Sequence, residues 1–234
     1  MQAFRVARPQ QTAVPAAHRT GRARPAGHAP PDRRMRTQGW MPPVWGDDRP
    51  MEPEVTVPMA AQSAVLVPVP EAEPAVSRHR ARLDRAAAWG VPAHVTILYP
   101  FVTPPAITAA TMTALAGAVA SVQAFDCEFP ATGWFGQDVL WLAPRPAARF
   151  RALTRAVSAA FPGYLPYDGA YQDPIPHLTV GDRPARGAAA LRAAETELLR
   201  ELPIAARISR VWVMTGTAAP GSWRTVAELP LATA

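Results

Sequence analysis

The sequence predicts an α+β protein built from two similar lobes, and three observations lead there. Short β-type runs alternate with helices that carry one apolar stripe each. Their order is strand, helix, strand, helix, hairpin, helix, strand, helix, hairpin, so the second half loosely repeats the first. Each half also holds one strand-like segment with the same pattern: Pro92-Ala93-His94-Val95-Thr96-Ile97-Leu98 and Pro176-His177-Leu178-Thr179-Val180. Approximate twofold symmetry would put these two strands on corresponding positions, facing one another across a cleft.

The leading segment stands apart from this pattern. Residues 1–60 carry ten of the 28 prolines, scattered arginines and almost no apolar period, so they are expected to form a disordered arm. Met51 and Met59 both precede the first credible strand, which makes a later start a plain alternative to an RNA-binding arm. Nine arginines against three aspartates in residues 1–50 account for the whole net charge of +6. Residues 51–234 are neutral, so net charge gives the folded part no basic nucleic-acid surface. Residues 61–234 are expected to hold both lobes.

Ala64–Val69 reads as the first strand, ending in prolines. Ser77–Ala88 is a polar helical stretch that stops near Gly90, with His79 among arginines and expected in solvent. The first motif strand follows and runs through Tyr99 and Phe101. Pro104 and Pro105 break the chain, and Thr108 is placed to cap a helix striped by Met112, Leu115, Val119 and Val122. Phe125, Cys127 and Phe129 alternate with Asp126 and Glu128, the period of a half-buried strand. A loop around Gly133 and Gly136 leads to a paired strand, Val139–Leu142. Phe150, Leu153, Val157 and Phe161 stripe the next helix. Residues 162–176 have no period and read as a loop. After the second motif strand, Leu191, Ala194 and Leu198 stripe a helix over residues 185–201. Two strands, Ile208–Met214 and Thr225–Leu231, close the chain around a turn at Pro220-Gly221.

The two motifs carry the chemistry. In a strand, residues i and i+2 share a face, so His94 and Thr96 project together, as do His177 and Thr179. One imidazole can act as a base while the other acts as an acid near neutral pH. Two hydroxyls aimed at the same phosphorus would stabilise charge on its non-bridging oxygens. One His-x-Thr alone would be a chance pattern; two, each closely preceded by proline and followed by apolar residues, point to function. His18 and His28 lie in the arm.

These residues resemble the motifs of the two-histidine (2H) phosphoesterase superfamily, specifically its 2′-5′ RNA ligase-like branch. The match rests on Gly90–Phe101 and Pro176–Val180, with 83 positions between the histidines, and extends over about residues 62–231. The resemblance implies a bilobal fold of two antiparallel sheets with outer helices around a central cleft. It implies hydrolysis of 2′,3′-cyclic phosphodiesters of RNA ends or nucleotides, and in some members reversible 2′-5′ RNA joining, without a cofactor. His94 and His177 would be the acid–base pair, and Thr96 and Thr179 the phosphate-binding hydroxyls. His177 is assigned to the water and His94 to the leaving oxygen, roles that reversal would exchange. Tyr99, Phe101, Trp134 and Tyr171 are candidates to stack on a base.

Other classes have less behind them. No His, Asp and Glu cluster has metal-ligand spacing, no Gly-x-Ser-x-Gly elbow occurs, and the chain lacks lysine and hence a Walker-type phosphate loop. No apolar run is long enough to span a membrane. The lone Cys127 agrees with a reducing compartment, so a cytoplasmic protein is expected. The sequence gives no clear sign of oligomeric state, and a monomer is favoured. The competing class is a non-catalytic binder of nucleotides or RNA ends.

Overall fold

The structure, a computed structural model, describes residues 60–171, 173–182 and 187–233. The arm expected over residues 1–60 lies, apart from Ala60, outside the described residues. The first strand, β1 (Gln62–Pro68), is buried on both faces from Ser63 onward, as a short apolar run bounded by proline should be. Helices α1 (Glu73–Leu83) and α2 (Arg85–Trp89) follow, separated by one extended residue, Asp84. The Asp84 carboxylate accepts the Ala86 N–H at 2.9 Å and so caps α2. Gly90, at φ 97°, ends α2 in the left-handed conformation and turns the chain into β2 (His94–Leu98).

Thr108 does cap α3 (Ala109–Ala120), its hydroxyl accepting the Thr111 N–H at 3.3 Å. Leu115 and Val119 are buried and Met112 packs against the core. β3 (Phe125–Phe135) and β4 (Val139–Arg145) form a hairpin closed by three residues, with Gly136 at φ 58°. Gly133 belongs to β3 itself and not to the loop. Helix α4 (Ala147–Ala160) buries Phe150, Leu153 and Val157, and α5 (Gly187–Leu198) buries Leu191, Ala194 and Leu198, the expected stripes. Between them lies β5 (Leu178–Gly181).

The C-terminal part departs from expectation. It holds three strands, β6 (Ile204–Ile208), β7 (Arg210–Gly216) and β8 (Arg224–Pro230), where the sequence suggested two. Only Ser209 separates β6 from β7, yet they pair in different places: β6 with β3, and β7 with β1 and β8. The sheet order is β6-β3-β4-β5-β2-β1-β7-β8, with every named pair antiparallel. A one-residue link from one edge to the far side requires the sheet to curl until its ends approach.

The two lobes are therefore the two four-stranded halves of this curled sheet. They join along β2–β5, where Val95 pairs with Leu178. The motif strands adjoin at the centre instead of standing apart, and the two motifs share one face of the sheet. Val95, Ile97, Leu178 and Val180 turn the other way, into the main core with the helix stripes. Asp182 adds a second tie between the halves. Its N–H donates to the Leu83 carbonyl at 2.8 Å, and its carboxylate accepts from the Arg85 N–H and Nε at 3.0 and 2.9 Å.

Candidate active site

Both motif histidines are held in the same way. His94 Nδ1 lies 2.7 Å from the Pro92 carbonyl, and His177 Nδ1 lies 2.7 Å from the Ile175 carbonyl. A carbonyl only accepts, so each Nδ1 carries the hydrogen and each Nε2 keeps its lone pair. The prolines before each motif favour the extended backbone that makes this two-residue reach possible. Since Val95 pairs with Leu178 in an antiparallel ladder, His94 lies level with Thr179 and Thr96 level with His177. All four side chains leave the same face, with directly opposite Cβ atoms about 5 Å apart.

The electrostatics are less symmetrical than the geometry. Burial pushes the His94 pKa down to about 3; the buried Arg80 guanidinium and His177 push the same way, against the Pro92 hydrogen bond. His177 is also lowered by burial, against the Ile175 carbonyl, but no arginine acts on it. Both imidazoles are therefore neutral at pH 7 in the free protein, and His94 is the harder one to protonate.

Arg80 was hidden by its setting in a polar helix. It is 2% exposed, and His79 beside it is 3% exposed, so this face of α1 is interior and the solvated His79 expected from sequence is corrected. Its guanidinium meets Asp84 at 2.7 and 2.9 Å and donates to the Val91 carbonyl at 3.1 Å. Glu73, from the first turn of α1, accepts the Ala93 N–H at 2.6 Å. Together they pin residues 91–93, whose Pro92 carbonyl orients His94.

The aromatic candidates divide. Tyr99, directly after β2, is half-buried, its hydroxyl donating to Gln62 at 2.7 Å. Tyr171, 63% exposed, stands on loop 162–176 with its ring edge-to-face to Tyr167 at 5.7 Å. Phe101 is 4% exposed and packs edge-on against Phe161, so it is core and not a stacking surface. Trp134 pairs with Leu140 on the helix side of the sheet, and its indole N–H donates to Glu195 of α5 at 2.8 Å. It is thus removed from the motif face as well.

Two residues not singled out from sequence take their place. Trp141 pairs with Thr179 across β4–β5 and so shares the motif face. Its indole lies flat over Gly133, where any Cβ would collide with the ring. Phe135 stacks beside it at 5.1 Å, and both rings contact the His177 imidazole, at 4.9 Å for Phe135 and 5.9 Å for Trp141. Tyr167 of loop 162–176 lies against the end of β2, its backbone N–H donating to the Tyr99 carbonyl at 2.6 Å. Tyr167 and Asp168 are consecutive non-glycine residues at φ 54° and 53°, a conformation that costs about 1 kcal/mol or more each.

Among the described residues, no group of three or more His, Cys, Asp or Glu is placed to hold a metal ion, and no helix is long and apolar enough to cross a membrane.

Several solved structures are similar. LigT of E. coli in its apo form is 15% identical, with 74% of this chain and 99% of that chain covered and a TM-score of 0.47. LigT complexed with 3′-AMP gives the same identity and coverage at a TM-score of 0.45. TT0787 of Thermus thermophilus is 15% identical over 72% of this chain and 97% of that chain, with a TM-score of 0.49. No curated protein matches the sequence. The family model described as the 2′-5′ RNA ligase superfamily matches residues 68–219, a span that begins in β1, takes in both His-x-Thr strands and ends beyond β7. With its paired motifs on one face of a curled antiparallel sheet, the chain belongs to the 2′-5′ RNA ligase superfamily of 2H phosphoesterases.

Proposed function

We propose that the protein is a metal-independent phosphodiesterase that hydrolyses 2′,3′-cyclic phosphodiesters of RNA ends or nucleotides. The observation that carries this reading is the pair of Nδ1-anchored imidazoles on one face, each level with a threonine of the opposite motif. A neutral imidazole takes a proton from water as its oxygen bonds to phosphorus. The P–O bond to one ribose oxygen breaks, and that oxygen receives a proton from the second, protonated imidazole. Thr96 and Thr179 donate to the non-bridging oxygens as their charge grows. With a ribose hydroxyl in place of water, the same steps join two RNA ends. Phe135 and Trp141 offer a base a stacking wall worth about 1–3 kcal/mol.

The order of the two imidazoles favours His94 as the base and His177 as the acid, the opposite of the assignment made from sequence. The base works only when neutral, so the rate rises as pH climbs past the lower pKa of the pair. The acid works only when protonated, so the rate falls past the higher one. Both lie below the ordinary 6.5. The kcat/KM profile on 2′,3′-cyclic mononucleotides is therefore expected to be a bell centred on the acid side of pH 6.5. Activity should persist in chelator. Loss of activity with EDTA would contradict the metal-free reading, and nucleotide binding without turnover across the panel would favour the binder.

Residues 1–58 are proposed to lie outside this chemistry. A variant starting at Met59 should turn over a cyclic mononucleotide at close to the full-length rate, and a tenfold loss would contradict this.

A further inference from the structure

The two motif histidines are anchored alike, yet their anchoring peptides differ in one atom. The carbonyl that holds His94 belongs to the Pro92–Ala93 peptide, and the one that holds His177 to the Ile175–Pro176 peptide. In a trans peptide the C=O and the N–H are conjugated and point in opposite directions. Ala93 has an N–H, and it donates to Glu73 Oε1 at 2.6 Å. Pro176 has none, so the Ile175 carbonyl has no such partner behind it. A carboxylate, a peptide and an imidazole are therefore linked in series on one side of the site only. The rest of Ala93 is fixed as well: the residue is fully buried, and its carbonyl accepts the Val69 N–H at 2.9 Å.

A hydrogen bond to an anion polarises the amide that makes it. As the N–H leans on the carboxylate, the carbonyl oxygen gains charge and accepts more strongly. The His94 Nδ1–H thus meets a strengthened acceptor, which raises the electron density at Nε2. The carboxylate has a second effect. Its Oε1 lies 4.0 Å from Arg80 Nη1, so it offsets the guanidinium that opposes charge on His94. Arg80, itself paired with Asp84, and His177 are the charged or titratable groups that act on the ring. We propose that Glu73 is a positioning residue for the reaction, acting on His94 through the Pro92–Ala93 peptide as the carboxylate of a catalytic triad acts directly on its histidine. It lets an imidazole that burial keeps neutral still take a proton from water. Only the kinetic part of the proposal rests on the base role proposed for His94.

The test is Glu73→Gln, which keeps an oxygen for the Ala93 N–H and removes only the charge. Two-bond nitrogen–proton correlation spectra of histidine-labelled protein, assigned with His94→Ala and His177→Ala, report each ring. The weaker bond at Nδ1 should move the His94 nitrogen shifts and leave those of His177 in place. On 2′,3′-cyclic AMP, kcat should fall about threefold to tenfold with KM nearly unchanged. Losing the carboxylate makes His94 harder to protonate, so the acid limb of the kcat/KM bell should move to lower pH. Glu71→Gln removes a neighbouring carboxylate that accepts the Arg207 N–H, and it should change none of these. A role confined to the first turn of α1 predicts a lower unfolding midpoint with both rings unchanged, and that result would overturn the proposal. So would equal shifts at both histidines, or the same shift in Glu71→Gln. A parent that turns over no cyclic phosphodiester would overturn the proposed reaction, and the ring nitrogens would still decide whether Glu73 acts on His94.

Discussion

Replacing His94 or His177 by alanine is expected to lower turnover of a 2′,3′-cyclic nucleotide by about 10²-fold or more, with the fold intact. On the proposed mechanism each imidazole makes one of two proton transfers, and the losses should not add, because removing one group already strands the other. The pH profile separates the roles. His177→Ala should lose the alkaline fall of the bell, since the acid that titrates there is gone. His94→Ala should lose the acid rise. The opposite pattern would return the base role to His177. Steady-state kinetics from pH 4 to 9, beside circular dichroism of each variant, gives the answer. Either single variant keeping more than a tenth of parental turnover would contradict the two-imidazole mechanism.

The second large effect is on stability. Arg80→Met should destabilise the protein by about 3–5 kcal/mol, because it leaves the Asp84 carboxylate buried without its cation. It also deprives the Val91 carbonyl of its donor and loosens the turn that orients His94. Asp84→Leu in the same background should recover part of the loss by removing the stranded charge. Recovery stays incomplete, since Asp84 also caps α2 through Ala86. Urea unfolding midpoints for the three proteins test this, and a loss below about 1 kcal/mol for Arg80→Met would contradict it. Where the variant still folds, kcat should fall more than KM rises, because His94 is the group displaced.

The helices were legible because one apolar stripe at helical spacing has only one way to be buried. Leu115 and Val119, Phe150 and Leu153, and Leu191 and Leu198 all pack as their spacing required. The motif faces followed from the period of two. That same rule was enough to find Trp141, which alternates with the buried Leu140 and Leu142, and it would have discounted Trp134 once the hairpin register was known. Strand β6 escaped because five residues with two alanines carry little pattern, and Ser209 gives no turn signal before β7. Arg80 escaped because burial of an arginine is decided by partners on the folded surface; the four-residue spacing to Asp84 was the only local hint. Tyr167 had no local signal at all. Its position depends on a loop without period meeting a strand about seventy residues earlier in the chain.

The ladder at β2–β5 is self-complementary: the histidine of each motif lies level with the threonine of the other. That is the arrangement of an isologous contact, the kind two identical subunits make about a dyad. In its geometry the domain behaves like a homodimer carried on a single chain, and neither subunit-like half owns a complete site. A perfect dyad could not tell an attacking oxygen from a departing one. On the proposed reaction, the chain would escape that indifference through what it does not duplicate: a guanidinium behind one imidazole and aromatic rings against the other. Directionality would then be the work of the unpaired parts.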